Sequence, residues 1–177
     1  MLQTWIRHLE KFLSHNRLGC FLYARPYRAV IEREWSLLNL EKGSRIVLIG
    51  AGAIPFTAIW LARDYNCHVD AYDLDAKAIK HAKKVVKKLR LEQHIHLFEG
   101  TTSASLKPYD AAFIALQVSP LDTVIETLLT SGTHRLVVRR PSQNYADQYN
   151  CLSSHFRITG RVFHPLKAFA ESVCVER

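Results

Sequence analysis

The spacing of apolar positions changes near residue 44. Upstream, apolar residues recur every three or four positions, the rhythm of amphipathic helices. Residues 3–15 place Trp5, Ile6, Leu9, Phe12 and Leu13 on one side of a predicted helix, and the pattern breaks over 16–19. A second helix is predicted to open at Pro26, since a proline in the first turn forfeits no hydrogen bond. It carries Tyr27, Val30, Ile31, Trp35 and Leu38 and closes at Lys42 and Gly43.

Downstream, short apolar runs alternate with helical stretches. RIVLI (45–49) reads as a central strand buried on both faces, and residues 68–73, IHLF (95–98), AAFIAL (111–116) and RLVV (135–138) read as further strands. Helices are predicted over 55–65, over the lysine-rich stretch 77–90 and from Pro120 to Leu129, the last with Ser119 to Asp122 as a capping box. Two further strands fall near 156–163 and 172–176. Regular alternation of strand and helix predicts a doubly wound α/β sheet of Rossmann-like type. A mostly parallel sheet closed by an antiparallel C-terminal pair is the class I methyltransferase plan. The division is a helical cap over 1–44, followed by a ligand-binding domain over 45–177.

The first strand runs into Gly50-Ala51-Gly52-Ala53-Ile54-Pro55. Glycines there let the backbone turn tightly and approach a ligand, while the next helix offers free N–H groups. The second strand ends in Tyr72-Asp73-Leu74-Asp75. An acid at that strand end can receive both ribose hydroxyls. Asp73 is assigned that role, Asp75 caps the next helix, and Leu74 lies beside adenine. Pro55 stands where the dinucleotide fingerprint has its third glycine, which favours S-adenosylmethionine over NAD. Gly50, Ala51, Gly52, Pro55, Asp73, Leu74, Thr101 and Ala115 form the expected S-adenosylmethionine site. The hydroxyl of Thr101 takes the position where methyltransferases often place an aspartate.

Charge and composition change this picture little. The net charge is +8, much of it in the 77–90 helix. Ile79, Ala82, Val86 and Leu89 form a buried stripe there, so the lysines read as a solvated face rather than an RNA patch. No apolar run is long enough to span a membrane, and no N-terminal apolar region suggests export, so the expected location is the cytoplasm. The scattered cysteines (20, 67, 151, 174) read as reduced, mostly buried thiols. His94 and His96 share a strand face, but two ligands make no metal site, and none is expected.

GAGAIPFTAIWLA, with its Pro-x-Thr pattern after the glycines, resembles the signature of nicotianamine synthases. YDAAFIAL, RLVVRRPSQNYADQY and HPLKAFAESVCVER are similar to that family's fourth strand, its fifth strand with the following loop, and its closing His-Pro turn with the final strand. YARPYRAVIEREWSLL resembles the helix before its glycine turn. The similarity spans roughly 23–177. It implies a methyltransferase-like fold that transfers the 3-amino-3-carboxypropyl group of S-adenosylmethionine to an amine and releases methylthioadenosine. Bacterial relatives make opine-type metallophores from amino acids such as histidine by this step, and related chemistry closes the group on itself.

A general base is useful, because the acceptor amine must lose a proton. Glu34 lies two helical turns after Tyr27, on a side shared with Val30, Ile31 and Leu38. A carboxylate on an apolar stripe is desolvated and more basic, and the family's helix has a glutamate lining its reaction chamber. Pairing with a nearby arginine is the alternative reading. Tyr27 and Tyr23 are expected to position the acceptor. Arg139, with Arg140 beside it after the fifth strand, is expected to clamp a substrate carboxylate. Tyr145 and Tyr149 are assigned to the same cavity. Glu171 replaces the family's usual asparagine, and the N-terminal region is short, which suggests a simpler product than nicotianamine. The expected partner is a small amine or amino-acid acceptor, with no membrane or nucleic acid, and a homodimer is compatible. Conventional methyl transfer, RNA modification and a binding module without turnover are the competing readings.

Overall fold

The computed structural model describes residues 17–101, 107–166 and 169–176, and gives side chains from residue 27 onward. Its elements are α1 (Arg17–Ser36), β1 (Arg45–Ile49), α2 (Phe56–Tyr65), β2 (His68–Asp73), α3 (Ala76–Leu89), β3 (Ile95–Glu99), β4 (Ala111–Ile114), α4 (Leu121–Thr130), β5 (Arg135–Pro141), a 3-10 turn (Gln143–Gln148), β6 (Arg157–Phe163) and β7 (Phe169–Glu176). The predicted helix over 3–15 lies outside the described residues.

The strands form one sheet in the order β3-β2-β1-β4-β5-β7-β6. The first five are parallel, and β7 runs antiparallel to both β5 and β6. Strand order reverses between β1 and β4, the switch point where such sheets bind ligands outside the carboxyl ends of their strands.

Alternation along β1 explains the layering. Ile46 and Leu48 enter a core with residues of α1, α2 and α3, among them Ile31, Leu61 and Ile79. Val47 and Ile49 enter the opposite core with Val124, Ile125 and Leu128 of α4. The stripe foreseen on α3 is buried at Ile79, Ala82 and Val86, and Asp75 caps the helix by accepting from the Lys77 amide at 2.8 Å.

On the α4 side, the β2–β3 end carries a ladder of cross-strand ring and acid pairs. His68 stacks on His94, Asp70 bonds His96, and Tyr72 stacks on Phe98. Phe98 and His96 remain exposed. Among the described residues, no three His, Cys, Asp or Glu side chains are arranged to hold a metal. Among the described residues, no helix is long and apolar enough to cross a membrane.

Several boundaries differ from the sequence reading. α1 is one helix that contains Pro26 rather than starting at it, and it ends at Ser36, before Lys42 and Gly43. β4 stops at Ile114, so Ala115 and Leu116 lie in the following turn. The capping box at Ser119 does not form, because Pro120 is the N-cap without a side-chain bond and Asp122 instead binds Ser153. β5 continues through Arg139 and Arg140, since the ladder with β7 extends to Pro141. Cys67 and Cys174 are buried free thiols, whereas Cys151 is exposed.

Candidate active site

The glycine turn is built by the end of β1 and fixed by β2. The amides of Gly50 and Ala51 both donate to the Tyr72 carbonyl, at 2.8 and 2.9 Å. Gly50 and Gly52 have φ of 83° and 68°, the left-handed region that side chains disfavour. A Cβ on Gly50 would also meet the Ala115 Cβ at 2.8 Å, so the small residue after β4 is part of the same turn. A Cβ on Gly52 would meet nothing within 4 Å. Pro55 is buried and caps α2.

Asp73 secures this turn from the end of β2. Its Oδ2 accepts from the Gly52 amide at 2.7 Å and its Oδ1 from the Asp75 amide at 2.9 Å. Each oxygen retains a second lone pair, so these bonds are compatible with receiving two hydroxyls. Leu74 is 70% exposed next to it. Thr101 is exposed just after Gly100, which has φ of 115°. The cofactor residues foreseen from the sequence therefore gather along the carboxyl edge of β1, β2 and β4, with Thr101 beyond β3.

A polar cluster is buried on the α1 and α2 side of the sheet. Glu34 has no exposed area. Arg139 donates to it side-on, Nε to Oε1 and Nη2 to Oε2, both at 2.8 Å. Nη2 also donates to Thr57 Oγ1 at 2.9 Å, in the first turn of α2. Ser172 Oγ donates to Glu34 Oε1 at 2.7 Å, and His164 Nε2 lies 2.9 Å from Ser172 Oγ. The carboxylate foreseen on an apolar stripe is thus held by an arginine, with the neighbours supplied by β5 and β7. Burial works against the charge on Arg139, but Glu34 overcomes it, and the guanidinium pKa is raised. His164 is pushed below the usual histidine range, chiefly by burial.

Tyr27 stacks on Phe56 and is tilted against Phe169, and the Arg139 guanidinium lies 5.9 and 5.3 Å from the centres of the Tyr27 and Phe169 rings. The side chain of Tyr23 lies outside the described residues. Arg140 points away from the cluster and pairs with Glu171 at 3.0 Å, and Arg161 approaches the same carboxylate at 3.4 Å. That accounts for an acid at position 171.

A cavity of about 530 Å³ opens between the turn after β4 (Leu116 to Ser119) and residues 147–150. Val118 ties it to the glycine turn, its Cγ2 standing 3.3 Å from where a Gly50 Cβ would be. Tyr149 lines this cavity, while Tyr145 does not. Arg139 shares the face of Val137, opposite the α4 side, and is not among the residues lining this cavity. Ser172, Thr57 and His164 were not singled out as site residues, although each falls within a segment quoted for the resemblance.

L-histidine 2-aminobutanoyltransferase of Yersinia pestis is 25% identical over 134 residues, 75% of this chain and 51% of that protein. The enzyme of the same name from Pseudomonas aeruginosa (strain UCBPP-PA14) is 28% identical over 107 residues, covering 60% of this chain and 38% of its own. The chain thus spans about half or less of the curated relatives it matches. The crystal structure of MtNAS in complex with MTA and tNA has the same fold, with a TM-score of 0.77 and 24% identity over 90% of this chain and 63% of that one. M. capricolum TrmK in complex with S-adenosyl-homocysteine shares the fold more loosely, at a TM-score of 0.58 and 17% identity over 81% of this chain and 67% of that one. The family model described as nicotianamine synthase protein matches residues 5–175, and the chain belongs to that family.

Proposed function

We propose that the chain binds S-adenosylmethionine at the glycine turn and transfers its 3-amino-3-carboxypropyl group to the amine of a small amino acid, releasing methylthioadenosine. The observation that carries this reading is the Glu34–Arg139 pair. It is seated beside Thr57, in the first turn of the helix that follows the glycines, in a chain of the nicotianamine synthase family whose relatives are named for aminobutanoyl transfer. The relatives' histidine acceptor supports an amino acid here.

A sulfonium makes all three attached carbons electrophilic. The protein selects one by holding it in line with the nucleophile at about 3–3.5 Å. The amine lone pair forms the new C–N bond, and the C–S electrons return to sulfur as neutral methylthioadenosine. The nitrogen becomes cationic as the bond forms; the buried Glu34 carboxylate favours that developing charge and takes the proton the nitrogen then sheds. Arg139 has two Nη1 donors for which no described residue serves as acceptor, a site for a substrate carboxylate. Tyr27 lies beside that guanidinium. Asp73 receives the ribose hydroxyls, Leu74 and Thr101 flank adenine, and Gly50, Ala51, Gly52, Pro55 and Ala115 shape the turn. Residues 1–44 act as the cap that brings Tyr23, Tyr27 and Glu34 to the domain over 45–177. The free thiols accord with a cytoplasmic setting.

Incubation with S-adenosylmethionine, alone and with pooled amino acids, tests this by mass spectrometry. Methylthioadenosine above the no-enzyme background is expected. S-adenosylhomocysteine in its place would mean methyl transfer and overturn the assignment.

A further inference from the structure

A carboxylate offers about four lone-pair positions. In Glu34, the side-on Arg139 pair uses one on each oxygen, and Ser172 uses the second on Oε1. One position on Oε2 is left for which no described residue provides a donor.

Ser172 has a single hydroxyl proton, and it points to Glu34. The contact between His164 and Ser172 must therefore run the other way, with Nε2–H donating to the serine oxygen. His164 is then the neutral Nε2–H tautomer, and its Nδ1 carries a lone pair. Consistently, Nδ1 is buried without a hydrogen-bond partner among the described residues.

We propose that Ser172 and His164 are positioning residues: together they close Oε1 of Glu34, so that the acceptor's N–H is received at Oε2 alone. This rests on the reaction proposed above. It makes the approach direction of the amine a property of β7 and of the turn before it, not of Glu34 by itself. The charged and titratable groups around the pair are Arg139, Tyr27 and Arg33, with His164 itself.

Two measurements test it. Nitrogen-15 NMR of the wild-type chain reads the His164 tautomer without need of activity. The proton is expected on Nε2, in the neutral ring, at neutral pH; a proton on Nδ1 would overturn the proposal. Second, kcat/KM for methylthioadenosine release is followed against pH in Ser172→Ala, His164→Leu and His164→Gln, the last of which retains an N–H near the position of Nε2. Loss of the donor to Oε1 should make Glu34 easier to protonate. Ser172→Ala removes that donor outright, and His164→Leu frees the serine hydroxyl to turn away from Oε1, so both should move the acidic limb to higher pH and lower kcat/KM, Ser172→Ala by about tenfold, as for one charge-assisted hydrogen bond. His164→Gln should restore much of the wild-type profile. If methylthioadenosine forms but the limb does not move, or His164→Gln behaves as His164→Leu does, the positioning role fails while the reaction stands. If the tautomer is as expected but the wild type releases no methylthioadenosine with any amino acid, the reaction fails and takes the acceptor placement with it.

Discussion

Glu34 and Arg139 are 105 residues apart in the chain and meet as a side-on pair with two bonds of 2.8 Å. Removing one partner of such a pair strands a buried charge, at a cost of about 3–5 kcal/mol. Glu34→Gln should therefore slow methylthioadenosine release by at least ~10²-fold and also lower the melting temperature by roughly 10 °C. The two effects separate in Glu34→Gln/Arg139→Met, which removes the stranded charge. Calorimetry should show recovered stability while activity stays lost. Full activity in Glu34→Gln would remove Glu34 from the chemistry.

Asp73 ties the glycine turn to the end of β2 through two backbone amides. Asp73→Ala loses these bonds and the proposed ribose contacts. Calorimetric titration should show S-adenosylmethionine bound at least tenfold more weakly, in keeping with about 1.5–3 kcal/mol per charged hydrogen bond. Unchanged affinity would leave Asp73 a purely structural cap.

The two glycines should respond differently to a methyl group. Gly50→Ala meets the Ala115 Cβ at 2.8 Å as well as an unfavourable φ, and should unfold at a clearly lower temperature. Gly52→Ala bears only the backbone term, about 1–2 kcal/mol, because nothing lies within 4 Å of its added carbon. Its methyl group would enter the space assigned to the ligand. Thermal melts with and without S-adenosylmethionine should therefore show Gly52→Ala folded but no longer stabilised by it.

Burial lowers the His164 pKa below the unfolded value of about 6.5. The unfolded chain then takes up this proton first as pH falls. The stability contributed by the neutral ring is complete above about pH 6.5 and declines as pH drops toward the folded pKa. Urea midpoints between about pH 5 and 8 should fall more steeply on the acid side for wild type than for His164→Gln. Parallel curves would show that the ring is not held neutral.

Burial pushes the Cys67 thiol up to about 12, and Cys174 is raised for the same reason. Iodoacetamide at about pH 8 should label Cys151 in the folded protein and leave Cys67 and Cys174 unmodified, because only the thiolate reacts. Peptide mass mapping checks this.

The sheet was legible because the central parallel strands β1, β4 and most of β5 are short apolar runs and Gly50, Gly52 and Asp73 sit at strand ends, where local sequence is enough. Arg139 and Arg140 conceal the last part of β5. Their charges end the apolar run, yet the ladder continues because Glu34 and Glu171 meet them. Both acids come from other elements, so no window around residue 139 contains the reason. The same holds for Glu34, whose helical neighbours are apolar while its partners come from β5 and β7.

The helix α1 also enters the ledger of charge. It contributes Glu34, the carboxylate that meets Arg139 among the described residues, and Arg139 is 8% exposed. A fragment starting at the first strand would retain every residue of the glycine turn and yet hold an uncompensated cation within its apolar interior. The segment before β1 therefore cannot be exchanged or deleted as a module: substrate choice can drift there only by changes that leave one acid opposite residue 139.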